Sequence, residues 1–73
     1  MINKLKRSVT ISGHRTSVSL EPEFWQALAE IAAGLKQPLA QLIDDIDKRQ
    51  ERGKNLSSAL RIFVLAHYRK QKA

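Results

Sequence analysis

The alternation in "RTSVSLEPEFW", Arg15 to Trp25, is the strongest constraint on the fold of this chain. Thr16, Val18 and Leu20 fall on one side of an extended strand and Arg15, Ser17 and Ser19 on the other, and the strand runs straight into a helix that Pro22 is suited to start. A strand beside helices alone has backbone donors and acceptors with no partner. It therefore needs a second strand. One is available nearby, because "SVTI" at 8–11 nearly repeats "SVSL" at 17–20. Turned back through "SGHR", the two words make a hairpin within one chain; otherwise two chains each contribute one strand to an intermolecular ribbon.

The helical part divides into three. Phe24, Leu28, Ile31 and Leu35 recur at helical spacing, Trp25 and Ala32 widen the stripe, and Gly34 suits a C-terminal cap, which gives a first helix over 22–34. Pro38 opens a second over 38–52, with Leu39, Leu42, Ile43 and Ile46 inward and Gly53 as its stop. Its outer face offers Asp44 before Lys48 and Asp45 before Arg49, both acid-first pairs. A third helix over 55–70 takes Asn55 as its N-cap and lines up Leu56, Ala59, Leu60, Phe63, Val64 and His67. Arg69, Lys70 and Lys72 suit its C-terminal dipole. That stripe is too wide to leave in water and must pack on the other helices or on a partner chain.

The 73 residues amount to one domain, which buries only about 60% of the surface its unfolded chain exposes. With no cysteine, disulfides and thiolate metal sites are excluded, and His14 and His67 have no second ligand at metal spacing. Oligomerisation is the stabilising device left. Asp44, Asp45 and Asp47 lie on successive helical faces without the nucleophile, base or pocket that catalysis requires, so neither an enzyme nor a cofactor is expected. No run of signal-peptide or membrane-spanning length occurs, which makes the cytoplasm the expected compartment.

The net charge of +6 is unevenly distributed. Residues 1–20 carry Lys4, Lys6, Arg7 and Arg15 and no acid; residues 21–52 hold all seven acids against four bases; residues 53–73 add five bases. Positive ends around an acidic middle point to a polyanion met by the N-terminal segment. A two-stranded ribbon fits the major groove of B-DNA, where arginine pairs with guanine O6 and N7 and serine bonds either kind of base edge.

The strings "RTSVSLEPEFW" and "NLSSALRIFVL" resemble the ribbon-helix-helix DNA-binding proteins of the bacterial repressor type, most closely a subfamily of small proteins that carry both. The resemblance implies a mainly α fold with a short N-terminal β-ribbon, assembled as an intertwined homodimer, here with an additional C-terminal helix. It places the base-reading positions on Arg15, Ser17 and Ser19 of a ribbon strand over 15–20. It also implies a phosphate anchor at the N-terminus of the second helix, at Lys36 and Gln37, though Lys36 and Pro38 replace the serine or threonine common there and Pro38 supplies no N–H. Residues 1–14 are either a basic arm, with Lys4, Lys6 and Arg7 along phosphate, or an added outer strand; His14 is a turn residue or a further phosphate contact. Core or dimer contacts are expected from Val18, Leu20, Phe24, Trp25, Leu28, Ile31, Leu42, Ile43, Ile46, Leu60 and Phe63. The expected function is sequence-specific double-stranded DNA binding by a homodimeric repressor. An antitoxin that also neutralises a toxin, and a protein-interaction module that reads no DNA sequence, are the alternatives.

Overall fold

The computed structural model describes residues 4–49 and 55–71. The expected stop at Gly53, the last residues of the 38–52 segment and Lys72 lie outside them. Both strand words are strands, β1 (Leu5–Ile11) and β2 (His14–Leu20), and they pair antiparallel within the chain from Leu5↔Leu20 to Ile11↔His14. Only Ser12 and Gly13 remain for the turn. Both have positive φ, 50° and 82°, the combination of a type I′ turn, whose twist matches that of the strands it joins. Of the two arrangements left open for the N-terminal segment, Leu5–Ile11 adopts that of an added strand; residues 1–3 lie outside the described residues.

Leu20 runs through Glu21 into α1 (Pro22–Gly34), with Pro22 in the first turn, where its missing N–H costs nothing. Trp25, Leu28, Ile31 and Ala32 form its buried stripe. The helix ends differently from the sequence expectation. Leu35 is the C-cap and Lys36, at φ 58°, takes the left-handed position that Gly usually holds; the Gln37 N–H donates to Ala32 O and the Lys36 N–H to Ala33 O, both at 3.1 Å. These two bonds form a Schellman motif, and Gly34 comes too early in the chain to serve it.

Helix α2 (Leu39–Arg49) buries Leu42, Ile43 and Ile46, and the Pro38 carbonyl accepts from the N–H groups of Gln41 and Leu42, so Pro38 flanks the helix as its N-cap. Asp44 and Lys48 pair at 3.1 Å as expected, whereas Asp45 accepts from the Gln41 amide at 2.9 Å in place of Arg49. In α3 (Leu56–Gln71) the Asn55 side chain accepts from the Ser58 N–H at 3.3 Å, the expected N-cap. His67 is half-buried between Phe63 and Tyr68.

The hairpin covers the helices unevenly: α2 lies against β1, α3 against β2, and α1 against both of the other helices. The core gathers Ile11, Val18 and Leu20 from the hairpin, Trp25, Leu28 and Ile31 from α1, Leu42, Ile43 and Ile46 from α2, and Leu60 and Val64 from α3. Phe24 and Phe63 are half-buried at its margin. Three polar ties fix the hairpin on this core. The Trp25 indole N–H donates to Leu5 O at 2.9 Å, the Ser12 N–H donates to Asp44 Oδ1 at 3.1 Å, and Arg61 of α3 pairs with Glu21 at 3.1 Å.

Because Lys36 carries a side chain in a left-handed conformation, Lys36→Gly is expected to raise the unfolding free energy by about 1 kcal/mol. Urea titration of the two proteins checks this.

Candidate nucleic-acid interface

Cross-strand partners share a face, so the register assigns each hairpin side chain to one side. Leu5 with Leu20, Arg7 with Val18, Val9 with Thr16 and Ile11 with His14 point toward the helices. Lys6 with Ser19, Ser8 with Ser17 and Thr10 with Arg15 point away. The outward face is therefore two rows of short polar side chains with a cation at each end, Lys6 and Arg15. Residues 4–20 include no acid. Arg15, Ser17 and Ser19 do stand together, and β1 adds Ser8 and Thr10 beside them, two residues that the sequence reading does not single out. Their signal is present in the repeated word, whose polar members alternate with the same period.

The other basic candidates are distributed differently. Arg7 sits on the helix-facing side, its guanidinium 5.2 Å from the centre of the Trp25 ring, where cation–π attraction holds it. Lys4 precedes β1 close enough to Glu21 to act on its charge. His14 is exposed at the turn end of the hairpin. Lys36 and Gln37 form the α1–α2 connection, and just beyond them the N–H groups of Leu39 and Ala40, the first two helical residues of α2, have no acceptor within the helix. The Asp44 bond to Ser12 holds the hairpin turn beside this helix, about 8 Å along the axis from its first residue.

The edges of the hairpin differ in what they leave unpaired. In a two-residue hairpin the closing pair, Ile11 and His14, exchanges both bonds, so pairing alternates from there and the N–H and C=O groups of Thr16, Val18 and Leu20 also face β1. Those of Arg15, Ser17 and Ser19 face outward from the other edge of β2. The side chains on the polar face and the backbone groups on the open edge belong to the same three residues.

Two carboxylates that anchor this surface are held below their ordinary pKa values. For Glu21 the first cause is the hydrogen bond from its own backbone N–H, followed by the Arg61 side chain; for Asp44 it is the Lys48 side chain, aided by the Ser12 N–H, with partial desolvation opposing in both. Among the described residues no cluster of three His, Cys, Asp or Glu side chains is placed to hold a metal, and no helix is long and apolar enough to cross a membrane.

A hairpin with an outward polar face, followed by helices, matches the family model of the ribbon-helix-helix domain over residues 4–68. The chain belongs to this family, a non-enzymatic DNA-binding fold whose members generally bind DNA as dimers. Among solved structures it is similar to an uncharacterized protein from Bordetella pertussis Tohama I, at 37% identity and a TM-score of 0.83, over 97% of this chain. It spans 60% of the length of that protein's chain. No curated protein matches it.

A carboxylate whose folded pKa is depressed stabilises above its ordinary value, and that stabilisation is lost as the pH falls through the folded value. Asp44→Asn is accordingly expected to be less stable than the wild type near neutrality, with the gap closing on acidification below the ordinary value of 3.8. Thermal denaturation as a function of pH follows the two curves.

Proposed function

We infer that this protein is a sequence-specific DNA-binding repressor that acts as a homodimer, with two copies of β2 paired at the major groove. The observation that carries this reading is the coincidence on β2 of an outward row, Arg15, Ser17 and Ser19, with an open backbone edge formed by the same residues. An antiparallel pair of β2 strands centred on Ser17 sets Arg15 opposite Ser19 of the second copy. This arrangement satisfies the outward N–H and C=O groups of all three residues and yields a sheet ordered β1–β2–β2–β1.

Groove dimensions then divide the labour between the strands. Strands in a sheet lie about 4.8 Å apart, so the two β2 strands are centred about 2.4 Å from the dimer axis and the β1 strands about 7 Å from it. The major groove is about 12 Å wide, or about 6 Å to either side. Base contacts therefore fall to Arg15, Ser17 and Ser19, and Lys6, Ser8 and Thr10 of the outer strands face the phosphates on the groove walls. Arg15 is the bidentate reader of guanine, and the two serines approach base edges closely because they are short. Lys36, Gln37 and the free amides that open α2 supply a second phosphate anchor, and His14 and Lys4 add to the positive field. Occupation of an operator with two related half-sites is the mode of repression that the dimer symmetry supports.

Two substitutions separate reading from anchoring. Arg15→Ala is expected to cost about 1–3 kcal/mol of discrimination between a selected duplex and its scrambled version while the dimer persists. Selection from a randomised duplex library, followed by titration, measures this; unchanged preference removes Arg15 from the reading row. Lys6→Ala is expected to weaken binding to all duplexes alike and to lower the slope of log K against log salt by about 1.8, one phosphate per protomer.

A further inference from the structure

Helix α3 buries Leu60 and Val64 in its own chain yet exposes a second apolar surface that these contacts leave open. Ile62 is 63% and Leu65 57% exposed, and an open apolar groove of about 320 Å³ runs past them between Phe24, Arg61, Val64 and Tyr68. Its position follows from three observations. First, α3 lies under β2 while α2 lies under β1, so the side of α3 turned away from α2 is on the same side of the molecule as the open edge of β2. Second, Ala59, Ile62 and Phe63 of α3 border a groove with Ile46 and Arg49 of α2, which puts Ile62 at the boundary of the two faces, whereas Leu65, two residues after Phe63 and rotated from it by about 200°, lies on the opposite face. Third, the Arg61–Glu21 ion pair fastens this face to the residue that directly follows β2, with the Arg61 guanidinium also 6.0 Å from the Phe24 ring centre.

We propose that this face of α3 is a dimerisation surface, covered by the same face of a second copy of the chain. The proposal rests on the homodimer reading above and adds the third helix to it. Two β2 strands that pair edge to edge and present their polar rows on one side are related by a two-fold axis perpendicular to the sheet. That axis continues downward into the helix layer. It brings the α3 that lies beneath β2 next to its symmetry copy, so the open edge and the exposed apolar face are satisfied by one partner in one operation. Leaving Ile62 and Leu65 in water also forgoes the stabilisation that burial of their apolar surface provides.

The test uses the full chain free of DNA, by sedimentation velocity over a concentration series. The wild type is expected to be a dimer, and Leu65→Asp, which changes a side chain exposed in the single chain, is expected to raise the dimer dissociation constant on the order of 100-fold. Since a marginal monomer can unfold once its partner is lost, a second measurement uses the absence of native cysteine. Leu65→Cys is expected to give a disulfide-linked dimer under mild oxidation, and Lys48→Cys, on the side of α2, is not. A wild-type dimer whose affinity Leu65→Asp leaves unchanged, or in which Leu65→Cys links no better than Lys48→Cys, overturns the role of α3 and leaves the paired ribbon standing. A wild type that is monomeric both free and on DNA overturns the homodimer reading and this surface with it.

Discussion

Strand β2 has two hydrogen-bonding edges, and the chain satisfies one of them. Pairing with β1 uses the backbone groups of His14, Thr16, Val18 and Leu20, and the type I′ turn at Ser12 and Gly13 allows no other register. The side-chain faces depend on that register. A slip by one residue would turn Val18 and Leu20, now 2% and 0% exposed, into solvent and press Ser17 and Ser19 into the core. The anchors that hold the hairpin are matched to it as well: the Ser12 N–H is free to meet Asp44 because it lies in the turn, and Leu5 O reaches the Trp25 indole because β1 extends to the level of Leu20.

The same pairing relates this chain to the ribbon-helix-helix family in a specific way. A strand leading directly into a helix is enough to present one row of polar side chains. Here β1 adds a second row, Lys6, Ser8 and Thr10, in register with the first. A sheet of four strands is wider than a major groove, so the added row serves affinity more than sequence choice in the proposed complex. Phosphate contacts and base contacts then come from different strands, which allows one to change without the other. The helices divide between the two strands as well, α2 beneath β1 and α3 beneath β2.

Several features are legible without coordinates because they depend on local chemistry. Pro22 in the first turn of α1, Asn55 capping α3 and the Asp44–Lys48 pair each involve residues at most four apart. Others mislead for equally local reasons. Glycine is the usual left-handed residue, so the sequence points to Gly34 as the cap of α1, but the helix carries its stripe one residue further and Lys36 takes that conformation. Spacing alone pairs Asp45 with Arg49, whereas it bonds Gln41, which stands one turn before it. Charge alone groups the basic residues of the N-terminal segment, and the strand period separates them: Lys6 faces outward, and Arg7, its neighbour, covers Trp25.

By itself the sequence determined the alternation in β2, the spacing of the three apolar helical stripes and the absence of acids from the first twenty residues. These follow from covalent order and from the two periods of regular backbone, so they need no long-range contact. The tertiary structure alone decided which partner β2 takes within the chain, which edge that leaves open, and which flank of α3 remains exposed beside it. Each of those depends on residues far apart in the chain, Asp44 with Ser12 and Arg61 with Glu21, meeting in a single packed arrangement. Periodicity places a side chain on a face, and packing determines what that face meets.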